Sequence, residues 1–441
     1  MRSLAAGLAL ALALGRTAAG GAAGEAAGQR TKICALLLSS APADRNRGLT
    51  ELEALLGRDA ASCGDVLPAL KEVLRQRPGA ERARVAALLL KVPGEEAEAT
   101  WWKVLDPAKE TDDRVLASAA RAVADRPLDP ALARRLLDAA RDPSADPWRR
   151  ALALEALGGI DSPAVPLVLH ASRPGAGWVE ESCRALALGR RGRADDVAPL
   201  IDLLGHTEAC PRVHAWEGLV RITHQNLPAQ REPWTAWWRE QTGRLPAPHA
   251  TVEPAAGGPY ALPEPAHVPR YYGVPILAKG STCHAVFCLD VSASMKDHGI
   301  GPARRHLEAT LLELPTSTSF DVISFNENVM PFAGRLVRAH PIEKARVVAW
   351  LDAIVPKSYT NIYDALEAAF QGPERIDLVF LLSDGAPNRG RYHDAAPLLE
   401  AVRALSKGRV PIHTIGAGES VLALLRQISD ATGGTFQEAL D

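Results

Sequence analysis

The hydrophobic period of this 441-residue chain changes once, near residue 282. Over residues 32–245, apolar side chains recur three and four positions apart, which is the spacing of one face of an α-helix. Beyond the change, apolar runs typical of strands alternate with helical patterns, which predicts a parallel, doubly wound sheet covered on both faces. The runs lie near residues 285–291, 320–325, 376–382 and 410–415. Because the chain is too long for one core, we expect an all-α domain followed by an α/β domain.

Two segments of the α/β half depart from simple alternation. Residues 329–339 have no helix before them, so we expect them to return as an antiparallel strand beside residues 320–325. The final "GTFQEA" is expected to form a last short strand.

The helical half is divided by short breakers such as "PLDP", "DPSADP" and "SRPGAG". Its segments recur about every 30 to 40 residues, which is the spacing of helical-hairpin solenoids. Residues 145–225 resemble HEAT-type repeats, in which a helix ends in a small-residue turn and an Asp, and Pro opens the second helix. We therefore predict a HEAT-like helical repeat array over residues 32–245.

A proline-rich segment over residues 246–280 separates the two halves and is interpreted as a linker, because its prolines prevent a helix. Its end, "RYYGVPIL", is expected to add an edge strand to the following domain, since proline excludes a central strand. The second domain then covers residues 282–441.

The first 23 residues have the pattern of a secretory signal peptide: one Arg, an apolar run from Leu4 to Leu14, and then small residues. A weakly amphipathic or disordered leader is the alternative. The run is too short to span a bilayer, and we expect no transmembrane segment in the mature chain. The abundance of Ala and the excess of Arg over Lys indicate a GC-rich genome. The prediction is an exported protein of bacterial origin that is periplasmic, on the cell surface or secreted.

The six cysteines are compatible with disulfides in an exported chain. Cys34 with Cys63 and Cys183 with Cys210 are separated as adjacent helices would require, and buried thiols are the alternative. Cys283 and Cys288 point to opposite faces of one predicted strand and are not expected to bridge.

Polar side chains follow the first strand of the α/β half, in "AVFCLDVSASMKD". Asp290, Ser292 and Ser294 occupy alternate positions, so in an extended segment their oxygens face one spot. Thr360 precedes a later helix, and Asp384 follows another apolar strand. Ligands of such sheets bind outside the carboxyl ends of the strands, where strand order reverses. Taken singly, each side chain is also a suitable helix cap or turn residue.

Residues 282–441 resemble a von Willebrand factor type A (VWA) domain, a fold with a Rossmann-like doubly wound sheet. Its metal-ion-dependent adhesion site (MIDAS) begins with D-x-S-x-S, which Asp290, Ser292 and Ser294 match. The Thr and Asp of the family's later loops match Thr360 in "YTNIYDAL" and Asp384 in "LLSDGAPN". The resemblance implies that these five residues bind a metal and that a carboxylate of a partner protein completes the coordination.

Hydroxyl and carboxylate oxygens are hard donors that suit Mg²⁺, with Mn²⁺ or Ca²⁺ as alternatives. The set contains no His or Cys, which argues against Zn²⁺. The formal net charge of −2 and the lack of a basic stripe give no reason to expect nucleic acid as a partner. The predicted partner is a protein that supplies an Asp or Glu carboxylate.

The predicted function is therefore non-enzymatic binding or adhesion by a VWA domain on a helical-repeat scaffold. One alternative is a metal-assisted hydrolase of the cell envelope, but the sequence has no Ser–His–Asp order, no G-x-S-x-G and no paired free carboxylates. Another is a functional helical array with a structural metal site. Arg389 and Arg391 lie near the predicted site and would attract an acidic ligand, although a solvated loop is the favoured interpretation.

Overall fold

The computed structural model of the chain divides into two compact units, Met1–Arg191 and Gly192–Asp441. The predicted signal peptide lies outside the described residues except for its last two, which open the first helix, and most of the predicted linker also lies outside them. No helix within the described ranges has the length and apolarity that crossing a membrane requires. The structure describes residues 22–77, 79–104, 115, 118–119, 122, 130–241, 267–277, 282–295, 300–357, 359–371 and 375–439.

The regular elements described in the first unit are all helical, which confirms the predicted helical character of this region. The α-helices are α1 Ala22–Leu38, α2 Pro42–Asp59, α3 Leu67–Gln76, α4 Gly79–Leu89, α5 Glu95–Val104, α6 Pro130–Arg141, α7 Pro147–Leu157, α8 Ala164–Leu169 and α9 Trp178–Arg191, with a 3₁₀ helix over Ala60–Val66.

Helix α7 shows how local sequence sets these elements. The Asp146 carboxylate accepts a hydrogen bond from the Trp148 N–H at 2.8 Å, and Pro147 occupies the first turn, so the helix begins there. The helix ends at Gly158, where a Cβ would lie 2.7 Å from the Cα of Ala187. A glycine at this position therefore permits the close approach of α7 and α9.

The second unit begins with helices and continues into the α/β domain. Its helical part comprises a 3₁₀ helix over Ala194–Asp196, α10 Val197–Leu203, α11 Ala209–Thr223 and α12 Arg231–Gln241. The α/β part comprises β1 Arg270–Tyr271, β2 Val274–Pro275, β3 Cys283–Asp290, α13 Ile300–Glu313, β4 Thr318–Phe325, β5 Val329–Pro331, β6 Val337–Arg338, α14 Pro341–Asp352, α15 Ile362–Phe370, β7 Leu378–Ser383, α16 Ala395–Ser406, β8 Ile412–Gly416, a 3₁₀ helix over Glu419–Val421, α17 Leu422–Thr432 and β9 Phe436–Glu438. This division at residue 191 differs from the domain boundary predicted at the proline-rich segment.

Strand order in the main sheet is β5-β4-β3-β7-β8-β9, and β6 also pairs with β4. The strands β4, β3, β7, β8 and β9 are parallel. Strands β5 and β6 run antiparallel to β4, so the predicted return of residues 329–339 is confirmed as two short strands, and β9 is the predicted last strand.

Both faces of the sheet are buried, because alternate residues of β3 enter different cores. Phe287 packs with residues of α13 and α14, whereas Val286 packs with residues of α15, α16 and α17. Helices on both faces of a mainly parallel sheet define the doubly wound class, so the predicted α/β architecture is confirmed.

The segment over residues 267–277 forms a hairpin instead of the expected edge strand. Strands β1 and β2 pair with each other in a separate two-stranded sheet. Tyr271 is buried against Phe287 and Phe380, with ring centroids 5.4 and 5.3 Å away. Packing of this aromatic side chain, rather than backbone pairing with the main sheet, therefore attaches the segment to the domain.

Helix α11 contributes to a buried polar cluster at the amino end of β4. The Lys344 Nζ donates to the carbonyl oxygens of Leu312 and Leu314, at 3.0 and 2.6 Å, and lies 3.7 Å from the Cys210 Sγ. On the same helix as Cys210, Glu217 accepts hydrogen bonds from the backbone and hydroxyl of Thr316, both at 2.8 Å. These contacts join α11 to the α/β domain within one unit.

The six cysteines all lie in described segments, and each is a buried thiol without a disulfide. The alternative of buried thiols therefore describes the structure, and the pairs suggested by sequence separation are not formed. The Cys288 thiol contacts the Ala365 carbonyl at 3.9 Å, and its burial raises its pKa well above the ordinary range.

Candidate metal centre

The polar side chains of the predicted site lie where the strand order of the sheet reverses. Strand β3 is flanked by β4, which follows it along the chain, and by β7, which the chain reaches only after crossing back. Asp290 is the last residue of β3, and Asp384 comes directly after β7. Thr360 belongs to the segment that leads into α15 on this crossing. The carboxyl ends of β3 and β7 thus bring residues distant in sequence to one edge.

The first strand end holds its oxygens in a fixed arrangement. The buried Asp290 carboxylate accepts hydrogen bonds from the Ser292 N–H at 2.8 Å and from the Ser383 hydroxyl at 2.5 Å. The Ser292 and Ser294 hydroxyl oxygens are 3.1 Å apart. The D-x-S-x-S segment therefore presents one carboxylate and two hydroxyls toward the same region, as its alternation predicted.

The other two loops reach the same place. The Ser294 hydroxyl donates to the Asp384 carboxylate at 2.7 Å. A Cβ added to Gly385 would lie 3.3 Å from the Thr360 Oγ1 and 3.5 Å from the Ser294 Oγ. These two hydroxyls therefore lie beside one backbone position, and the absence of a side chain at Gly385 leaves room for them. The structure thus brings together all five residues predicted from the sequence.

Two residues that the sequence analysis did not include support these groups. Ser383 ends β7 and holds the Asp290 carboxylate through the hydrogen bond described above. The Asn388 carboxamide oxygen accepts from the Thr360 N–H at 2.9 Å, and the Asn388 N–H donates to the Thr360 carbonyl at 3.0 Å. A Ser before "DG" and an Asn later in the same loop are normal turn residues, so no sequence signal distinguishes these roles.

The cluster contains two carboxyl groups, and no cationic side chain in the described segments forms an ion pair with either of them. Hydrogen bonds to the two carboxylates come from hydroxyl and backbone groups, and no described Lys or Arg pairs with Asp290 or Asp384. Burial raises the pKa of Asp290 to about 7, against the opposing hydrogen bonds from Ser383 and Ser292. Converging hard oxygens without a counter-charge fit a divalent cation such as Mg²⁺.

The fold and the site at its strand ends together identify the class of domain to which residues 284–437 belong. Residues 284–437 match the von Willebrand factor type A domain family, and a VWA domain covers this part of the chain. Domains of this class commonly mediate protein–protein interaction and often bind a divalent metal.

Two curated relatives share this region. The chain is 27% identical over 164 residues to the inter-alpha-trypsin inhibitor heavy chain H2 of Mus musculus, which covers 34% of this chain and 17% of the relative. It is 26% identical over 149 residues to heavy chain H1 of Sus scrofa, covering 31% of this chain and 16% of the relative. The chain therefore spans less than a fifth of the length of these relatives, and the similarity is restricted to one domain.

Two solved structures are similar over slightly more than a third of the chain. One is a von Willebrand factor type A protein from Catenulispora acidiphila, with 24% identity and a TM-score of 0.34, covering 37% of this chain and 39% of that one. The other is proximal thread matrix protein 1 from the mussel byssus, with 23% identity and a TM-score of 0.30, covering 36% of this chain and 43% of that one.

Proposed function

We propose that this chain is a binding protein, not an enzyme, whose VWA domain holds a divalent cation of the Mg²⁺ type and recognises a carboxylate of a partner protein. The proposed cation ligands are Asp290, Ser292, Ser294, Thr360 and Asp384. The observation that carries the proposal is the convergence of oxygens from three separate loops on one spot that lacks a described cationic side chain.

The residues of the site divide into charged and neutral donors. Two carboxylates and three hydroxyls would leave a divalent cation able to accept a further carboxylate oxygen from a partner. Ser383 orients the Asp290 carboxylate, and Asn388 fixes the backbone of Thr360. Both supporting contacts restrict the ligand loops before a partner arrives, which reduces the entropy lost on binding.

The helical half is proposed to be a HEAT-like scaffold that presents the VWA domain. This rests on the repeat spacing and on the series of short helices from α7 to α11. Export is proposed from the signal-like pattern of residues 1–23. Fractionation of cells that produce the tagged chain would test export, and recovery of the tag only in the cytoplasm would contradict it.

Thermal unfolding with MgCl₂ or EDTA tests the metal site. A cation that binds only the folded state raises the unfolding temperature by mass action, so Mg²⁺ at about 100 times its dissociation constant adds about 2.7 kcal/mol. We expect this shift in the wild type and its loss in Asp290→Ala and Asp384→Ala. Asp394→Ala is the matched control, because Asp394 is exposed and its side chain caps no helix. No shift in the wild type, or an equal shift in all variants, would overturn the proposal.

A further inference from the structure

A short segment beside the candidate metal centre exposes an unusual combination of side chains. Val355, Lys357 and Tyr359 alternate along the chain, and all three are exposed. The intervening Pro356 is half-buried, and Thr360, the next residue after Tyr359, is buried. The three exposed side chains thus lie within five positions of one another, and we refer to them together as one face.

This face is apolar to a degree that is rare on the described surface. The side chains of Val355 and Tyr359 are 69% and 39% exposed. The other large hydrophobic residues exposed to a comparable degree in the described ranges are Leu167, Leu277 and Met330. Two such residues within five positions, directly before a proposed metal ligand, make a local apolar surface next to the site.

The segment is attached to the metal centre by its backbone. The Lys357 N–H donates to the Val291 carbonyl at 3.0 Å, and Lys357 forms a parallel bridge with Ser292. This contact extends the sheet by one bridge beyond the end of β3. The exposed face is therefore held at a fixed place beside the D-x-S-x-S segment.

Arg389 joins this face from the loop that follows Asp384. The backbone N–H of Arg389 donates to the Thr360 carbonyl at 3.2 Å, and the Arg389 guanidinium lies 4.4 Å from the centre of the Tyr359 ring. Stacking on the ring orders both exposed side chains. We call Val355, Lys357, Tyr359 and Arg389 the rim strip.

The rim strip carries two positive charges that form no ion pair within the described residues. Arg391, two residues after Arg389, pairs with Glu367 at 2.7 Å. Neither Lys357 nor Arg389 makes an ion pair with any residue that the structure describes. Lys357, three positions before Thr360, and Arg389, whose backbone contacts it, thus place two positive charges in this part of a chain of formal net charge −2. Such a local excess attracts an acidic partner and repels a basic one.

We propose that the rim strip selects the partner, and that the partner is an acidic protein segment with an apolar side chain beside its metal-binding carboxylate. This rests on the proposed function of the metal centre. A second carboxylate of the segment pairs with Lys357 or Arg389, and the apolar side chain packs on Val355 and Tyr359. The rim strip thereby adds specificity that the cation alone does not provide, because any carboxylate fits a cation.

Selection from a random peptide library on the full chain in MgCl₂ tests this inference. We expect enriched peptides to contain two or more acidic residues near an aliphatic or aromatic one. For a synthetic copy of an enriched peptide, the association rate constant with the double variant Lys357→Glu/Arg389→Glu should be at least about tenfold lower than with the wild type. The reason is that the two substitutions reverse the charges that attract an acidic peptide. Val355→Asp should weaken its binding through lost apolar contact and added repulsion.

Two control variants make a charge reversal and an apolar-to-Asp substitution at exposed positions outside the rim strip. Lys407→Glu reverses an exposed lysine in a distant turn, and Leu167→Asp adds a charge at a residue that is 72% exposed. Both controls should bind the peptide as the wild type does.

The outcomes separate this inference from the proposed function. If Asp290→Ala abolishes peptide binding but the rim variants match their controls, the inference is wrong and the metal-dependent function stands. If Asp290→Ala binds as well as the wild type, the proposed function itself fails. Enrichment of peptides without acidic residues, no enrichment, or binding of phosphatidylserine vesicles through Lys357 and Arg389 instead of peptides would also overturn the inference.

Discussion

The α/β domain buries polar side chains at both ends of its sheet, and the two clusters differ in how their charges are balanced. At the amino end of β4, the three N–H groups of Lys344 meet two carbonyl oxygens and the Cys210 sulfur. Burial lowers the pKa of Lys344 and would raise that of Glu217. Hydrogen bonds from His214 and Thr316 outweigh this burial and lower the Glu217 pKa, and the opposite charge of Lys344 adds to the effect.

At the carboxyl end, Asp290 and Asp384 have hydroxyl and backbone partners but no cationic side chain in the described segments. Burying a charge is costly unless another charge and good hydrogen bonds compensate it. A balanced cluster therefore serves the fold, whereas an unbalanced one is consistent with the cation site proposed above. This difference predicts opposite effects for neutralising substitutions at the two ends.

The largest effect is expected for Lys344→Met at the amino end. It leaves two buried carbonyls without a donor and removes the charge that stabilises Glu217, so the free energy of unfolding should fall by about 3–5 kcal/mol. Urea denaturation measures this change. Adding Glu217→Gln should recover part of the loss, and Lys91→Met, at an exposed position, should change stability by less than about 0.5 kcal/mol. A loss of unfolding free energy no larger than that of Lys91→Met would show that Lys344 and Glu217 do not balance each other's charge.

Asp321 is a buried carboxyl group in the middle of β4, away from both clusters, and it should make stability depend on pH. Burial raises the pKa of Asp321 to about 6, although the backbone N–H groups of Ala333 and Val322 oppose it. The folded state then binds more protons than the unfolded state between about pH 4 and 6, so this contribution to stability is full below pH 4 and is lost as pH rises through 6.

The Asp321 contribution should amount to about 2–3 kcal/mol across that window. Both hydrogen bonds reach the Asp321 Oδ1, at 2.9 and 3.0 Å, so Asp321→Asn retains an acceptor for them. Stability measured by urea titration at several pH values should lose this part of its pH dependence in Asp321→Asn. Parallel curves for the variant and the wild type would contradict the assignment.

A change of opposite sign is expected for Asp290→Asn in EDTA. Removing an unbalanced buried charge should raise the free energy of unfolding by about 1 kcal/mol, since the Asn oxygen still accepts from the Ser292 N–H. In MgCl₂ the same variant should be less stable than the wild type, because it lacks the cation's contribution. Destabilisation in EDTA would mean that the Asp290 charge is already compensated in the folded protein.

The smallest effect concerns Asn388, which holds the backbone of Thr360 without reaching the proposed cation site. Asn388→Ala removes the acceptor for the Thr360 N–H and should weaken Mg²⁺ binding by about tenfold, with the fold retained. Titration followed by thermal shift or calorimetry measures the affinity. Gln371→Ala, at the exposed far end of α15, is the control. Equal Mg²⁺ affinity in Asn388→Ala and Gln371→Ala would show that Asn388 does not position Thr360 for cation binding.

Much of the α/β half could be predicted because its signals are local. The hydrophobic period that changes near residue 282 depends on neighbours within a few positions. The sequence patterns beyond it predicted every parallel strand, although not the exact residues at which each strand begins and ends. The five candidate ligands followed from a short motif and two strand ends. The hairpin over residues 267–277 was missed, because "RYYGVPIL" carries the residues of a strand whichever strand it pairs with.

The sequence by itself determined the helical and α/β halves and the residue types of the candidate site, since both arise from side-chain periods along the backbone. Only the tertiary structure decided which polar groups have partners. Lys344 and Cys210 are 134 positions apart, and Asn388 and Thr360 are 28 apart. Such pairings depend on how elements pack, and the balance of charge at each end of the sheet depends on them in turn.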